Sequence, residues 1–130
     1  MLETKTVSEI INHIKSKDLS IKEVIEYYLN NIEKLNPKIN SIVSIKNKKE
    51  IIEEAEKKSN TKFCGLPIAI KDLSDVVGFP TTYGYPGTKN YTPSKNSLFV
   101  DKLLEAGITI IGKTNTAELG VGGQTTNRLF

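Results

Sequence analysis

The chain has 130 residues, 38% of them hydrophobic and 25% charged, which is the size and balance of one ordinary globular domain. Eighteen basic residues against fifteen acidic leave a formal charge of +3, and Arg128 is the single arginine among seventeen lysines. A surface for nucleic acid leans on the bidentate arginine fork, so this composition argues against one. The lone Cys64 excludes an internal disulfide and any multi-cysteine metal site, and it fits a reducing, cytoplasmic setting. The longest apolar runs, residues 68–70 and 108–111, are far too short to span a bilayer, and Met1 leads into a polar segment with no signal-peptide core.

The two halves differ in texture. Residues 1–62 hold twelve lysines, ten acids and no glycine, whereas all nine glycines and four of the five prolines follow. The first part reads as a solvated helical segment and residues 63–130 as the start of an α/β core, both within one domain. Thr6-Val7-Ser8-Glu9 is a capping box opening a short helix with Val7, Ile10, Ile11 and Ile14 on one face. His13 flanks that face and reads as a surface or packing residue. Ser20-Ile21-Lys22-Glu23 is a second box, followed by a four-turn apolar period from Ile21 to Leu35 that Asn36-Pro37 is expected to stop. Residues 41–45 alternate like a strand. Residues 46–59 form a charged helix in which Lys46, Lys48 and Lys49 are balanced by Glu50, Glu53, Glu54 and Glu56, a solvated face and not a basic patch.

From Gly65 the pattern becomes strand and loop. Ile68-Ala69-Ile70 is a buried strand ending on Lys71-Asp72, and residues 73–93 are irregular. Residues 94–106 read as a helix burying Leu98, Phe99, Leu103 and Leu104. Residues 108–111 form a second buried strand closed by Gly112, and residues 114–119 start a further helix before the polar loop 120–127. Strand, helix, strand in that order predicts an α/β layered fold with a parallel crossover.

Lys71 is the first chemical candidate. Sites in α/β sheets gather beyond the carboxyl ends of strands, and an amine half-desolvated there is prepared as a general base for a hydroxyl nucleophile. The competing reading is a strand-end salt bridge with Asp72. The loop is the second candidate: Gly122 and Gly123 allow close backbone approach, and Gln124, Thr125 and Asn127 offer orienting hydrogen bonds, against the plainer reading of a flexible connection. Gly107 to Thr114 also satisfies the G-x-x-x-x-G-K-T phosphate-loop pattern. That mechanism needs an extended loop of backbone donors between the glycines, and here those residues are themselves a strand, so the nucleotide reading fails on context.

Four blocks in order carry a resemblance: Gly65-Leu66-Pro67-Ile68-Ala69-Ile70-Lys71-Asp72, Gly78-Phe79-Pro80-Thr81-Thr82-Tyr83-Gly84, Leu103-Leu104-Glu105-Ala106-Gly107 with Gly112-Lys113-Thr114-Asn115, and Gly122-Gly123-Gln124-Thr125-Thr126-Asn127. Together they resemble the amidase signature family. The resemblance implies an α/β fold with a mixed sheet and helices on both faces, and hydrolysis of carboxylic amides by a Ser–cis-Ser–Lys triad without metal or cofactor. Lys71 matches the triad lysine, and Gly122, Gly123, Gln124 and Thr125 match the loop lining the substrate. Gly123-Gln124 departs from the Gly-Ser-Ser-Thr that members often carry.

The family's two serines belong to a Gly-Gly-Ser-Ser-Gly-Gly region that does not occur up to Phe130. The resemblance therefore implies an N-terminal portion that is inactive alone, supplied with the remainder by a partner segment or prone to self-association. A small-molecule amide is the expected substrate, with no nucleic acid or membrane partner. Two alternatives stay open. One is a portion of the glutamyl-tRNA(Gln) amidotransferase component within this family, which Thr116-Ala117-Glu118 and Gly123-Gln124 favour less than a general amidase. The other is a non-catalytic interaction module.

Overall fold

A computed structural model describes residues 2–130. Both capping boxes form. The Thr6 hydroxyl accepts from the Glu9 N–H while the Glu9 carboxylate accepts from the Thr6 N–H, and Ser20 and Glu23 repeat the exchange. They open α1 (Val7–Lys15) and α2 (Ile21–Ile39). Asn36-Pro37 does not stop α2, contrary to expectation. Pro37 removes an N–H only in the last turn, and the helix ends where Asn40 turns left-handed at φ 46°. Asn36 instead holds the following strand: its side-chain amide donates to the Ile42 carbonyl at 2.8 Å, and its side-chain oxygen accepts from the Ile42 N–H at 2.8 Å.

Three strands make the sheet. β1 (Ile42–Ile45) runs antiparallel to the central β3 (Thr109–Thr114), and β2 (Pro67–Lys71) runs parallel to it on the other side. Between β1 and β2 lies α3 (Lys48–Glu56), and between β2 and β3 lies α4 (Leu98–Glu105), so the predicted parallel crossover is present. The lysines of the α3 region pair with acids, Lys46 and Lys58 with Glu54, Lys48 with Glu26 and Lys49 with Glu53, which makes this a balanced face.

Each side of the sheet has its own core. On one face Ile10, Val24, Ile25, Leu29, Ile51 and Ala55 from the first three helices pack on Leu66, Ile108 and Ile111. On the other, Val76, Phe79 and Val100 cover Ile70 and Ile110. Helices on both faces of a mixed sheet were expected. Three local expectations need correction. α4 starts at Leu98, and it presents Val100 inward while Leu98 and Phe99 are 75% and 59% exposed. Gly112 does not close the second strand, because β3 runs on through Lys113 to Thr114. A single 3-10 turn, Glu118–Gly120, stands where a helix from residue 114 was expected.

The register explains why β3 continues. Ile68 pairs with Ile110 but Ala69 pairs with Gly112, so Ile111 is an extra residue, a bulge. On the opposite side, Ile42 pairs with Thr114 and Ser44 with Lys113, leaving Val43 extra. Between these two irregularities the backbones close in on Gly112, where an added Cβ would collide with the Ser44 carbonyl oxygen. Glycine is required there. Overpacking of this kind destabilises by about 1–3 kcal/mol, so Gly112→Ala is expected to lower the unfolding free energy by that amount, read as a lower urea midpoint with an unchanged slope.

The caps also predict an acid response. Glu9 and Glu23 titrate below the ordinary carboxylate value because the backbone N–H of Thr6 or Ser20, and then its hydroxyl, bind the charged form. An unfolded glutamate titrates near about 4.3, so this stabilisation is complete above that pH and is lost as pH falls through the lower folded-state values. Thermal midpoints are expected to fall between about pH 5 and pH 3, and less steeply in a Thr6→Ala/Ser20→Ala variant.

Candidate active site at the carboxyl ends of the parallel strands

Bulging at Ile111 decides which side chains meet at the end of the sheet. Ladder partners on parallel strands point to the same face, so Lys113, opposite Ile70, joins the Val76–Phe79 face, and Lys71, opposite Thr114, faces the other way. Lys113 is 0% exposed and its Nζ lies 3.1 Å from Oδ1 of Asp72, itself 1% exposed. The Asp72 carboxylate also accepts from the Thr82 N–H at 3.1 Å and from the Thr82 hydroxyl. Lys113 donates further to the Thr81 hydroxyl at 2.9 Å and to the Pro80 carbonyl at 3.2 Å. Burial draws the Lys113 ammonium below the ordinary lysine value, and Asp72 opposes that shift.

The salt bridge weighed for Lys71 and Asp72 is therefore not formed; Asp72 is paired with Lys113. Nor is Lys71 half-desolvated. It ends β2 exposed, and its amine has no hydrogen bond or ion pair among the described residues. The reason is geometric: adjacent residues on a strand face opposite ways, and the two lysines divide between the two faces.

Residues 80–84 bind this strand end to the loop. The Tyr83 N–H donates to the Asp72 carbonyl at 3.1 Å, and the Tyr83 carbonyl accepts from the Leu119 N–H at 2.7 Å. Burial, then the neighbouring Asp75, holds the Tyr83 phenol above its usual value. Beyond Leu119, Gly122, Gly123, Gln124 and Thr125 are all exposed, and nothing lies within 4 Å of where a Cβ on Gly123 would stand. Asn127 fastens the far end, its amide donating to the Asn115 side chain and the Thr116 carbonyl, both at 2.8 Å. Thr125 lines an open cavity of about 570 Å³ with Thr114, the ladder partner of Lys71, and with Ile42, Asn115 and Asn127. Lys71 and Gly122 to Gln124 do not line it. Lys71 thus stands at the carboxyl end of β2, and the loop 122–125 follows the carboxyl end of the adjacent β3.

Asp72, Thr81, Thr82 and Lys113 are what sequence reasoning missed as a group. As a chemical candidate Lys113 drew notice through the phosphate-loop pattern, whose four intervening residues include the start of β3 and form no cradle. The available signal was a lysine and an aspartate at the ends of two adjacent buried strands, which require partners.

The amidase family model matches residues 23–130. The chain belongs to the amidase family. It is 33% identical over 135 aligned residues to the A component of the glutamyl-tRNA(Gln) amidotransferase of Thermoanaerobacter pseudethanolicus, covering 99% of this chain and 28% of that protein. It is 32% identical to an acylamidase of Rhodococcus erythropolis, covering 96% of this chain and 28% of that one. The solved structure of a bacterial aryl acylamidase of the amidase signature family superposes with a TM-score of 0.82 at 26% identity, over 93% of this chain and 27% of that chain. This amidase-family chain thus spans a little over a quarter of the length of these relatives. No helix among the described residues is long and apolar enough to cross a membrane.

The two lysines predict opposite mutational outcomes. Lys113→Met leaves a buried carboxylate unpaired and is expected to cost about 3–5 kcal/mol. Lys71→Ala removes an exposed, unpaired side chain and is expected to change stability by no more than about 0.5 kcal/mol. Denaturant unfolding of both variants checks the pair.

Proposed function

We propose that this chain is the lysine-bearing N-terminal part of an amidase that hydrolyses small-molecule carboxylic amides through a Ser–cis-Ser–Lys triad. Lys71 is the base, residues 122–125 line the substrate, and both serines come from polypeptide outside these 130 residues. The observation that carries the reading is the placement of Lys71, in a block resembling the family's lysine motif, at the carboxyl end of a strand parallel to its neighbour, exposed and free of any counter-ion among the described residues. An amine in that state is available to a hydroxyl brought to it. In this mechanism Lys71 takes a proton through the bridging serine, the second serine attacks the amide carbonyl, the amine leaves, and water releases the acyl group. Backbone N–H groups beside the nucleophile stabilise the oxyanion.

The glutamyl-tRNA(Gln) amidotransferase component is the second reading, supported by relatives of that name at about the same identity as the acylamidase. The departure at Gly123-Gln124 and the single arginine favour the general amidase. Two assays separate them: hydrolysis of aryl and aliphatic acylamides, and amide formation on glutamyl-tRNA.

The 130-residue chain alone is expected to show no turnover. Joined to, or co-expressed with, a downstream segment bearing the serines, it is expected to hydrolyse simple acylamides, and Lys71→Ala is expected to lower kcat/KM by about 10³-fold or more. Robust hydrolysis by the isolated chain, or an extended enzyme indifferent to Lys71→Ala, overturns the proposal.

A further inference from the structure

A base must stand within hydrogen-bond reach of the proton it takes, yet Lys71 sits at the last position of a strand and its amine touches nothing that aims it. The residue that follows supplies the restraint. The Asp72 N–H donates to the Thr114 carbonyl at 3.0 Å, and its carbonyl accepts from Tyr83 at 3.1 Å. Its carboxylate is held by Thr82 and by Lys113, which is in turn tied to Thr81 and Pro80. Every polar group of Asp72 is engaged. Because successive side chains alternate, locking Asp72 into one face sets the direction in which Lys71 leaves the other.

Lys113 holds the Asp72 carboxylate on the face opposite Lys71. Stability alone does not account for the arrangement, since a buried ion pair is commonly no more stabilising than apolar residues of the same volume.

We infer that the buried Asp72–Lys113 pair, clamped by Thr81 and Thr82, positions Lys71 for proton transfer. This rests on Lys71 being the base of an amidase. Asp72 and Lys113 touch no substrate and act only through Lys71.

The test uses the extended enzyme that contains the serines, with an aryl acylamide as substrate and Lys71→Ala as the reference variant. The double variant Asp72→Asn/Lys113→Met removes both charges together, so no buried ion is left alone, and it keeps a side-chain oxygen for the Thr82 N–H. It is expected to fold and to keep KM within about twofold, while kcat per active site, counted with a serine-directed phosphonate, falls about 10- to 100-fold. Thr82→Val keeps the ion pair, loses one clamp and is expected to lower kcat about three- to tenfold. A folded double variant with kcat per site within twofold of the parent overturns the inference, as does a loss confined to KM or to the number of active sites. Should the double variant not fold, Thr82→Val is judged by the same criteria. Full turnover in Lys71→Ala overturns the base assignment and the positioning role with it; loss of turnover there alongside an indifferent double variant overturns the positioning role alone.

Discussion

One additional residue in β3 determines how the end of this sheet is organised. Without the bulge at Ile111, strict alternation would put Lys113 on the face of α1 to α3, whose core is a layer of isoleucine, valine and leucine. With it, Lys113 crosses to the face where Asp72, Thr81 and Thr82 wait. Taking two charges out of water is unfavourable by several kcal/mol each, and only dense hydrogen bonding offsets it. The segment 80–84 supplies that bonding, so the bulge, the glycine beside it and the threonine-rich turn form one device. Removing either charge leaves the other buried without its partner, and removing a threonine loosens the bonding around the pair.

Much of the architecture was legible because it is locally encoded. Thr6 with Glu9 and Ser20 with Glu23 announce two helix starts at fixed spacing, and Ile68-Ala69-Ile70 announces a buried strand by composition alone. What could not be read depends on contacts distant in sequence. Pro37 looks like a stop, yet in a last turn it forfeits little, and Asn36 finds its partner six residues later in Ile42. Leu98 and Phe99 look like core, yet the helix presents Val100 instead because its orientation is set by Ile70, Val76 and Phe79. A bulge has no sequence signature beyond a glycine, and so the true partner of Asp72 was hidden.

The same limit applies to the candidate site. Lys71 stands out as a candidate from its place at the end of an apolar run, and among the described residues its surroundings differ from both expectations. It is neither paired with Asp72 nor half-buried. The two errors share one cause: neighbours in sequence are not neighbours across a strand, and the nearest carboxylate in the chain belongs to the opposite face. Lys113 was discounted for phosphate binding on sound grounds, and with that discounting its electrostatic role passed unnoticed.

The loop after β3 shows how far local encoding extends toward function. It is pinned at its start by the Leu119 N–H on Tyr83 and at its end by the Asn127 amide on Asn115 and Thr116, while Gly122 to Thr125 between them are exposed. A catalytic constellation holds its geometry only when the groups behind it are themselves fixed. Here the anchors of loop and lysine converge, because Tyr83 bonds to Asp72 through its N–H and to Leu119 through its carbonyl. One residue of backbone therefore couples the strand end that carries Lys71 to the loop that resembles the family's substrate lining. A displacement of residues 81–83 would move both together, and that short turn ties their relative placement.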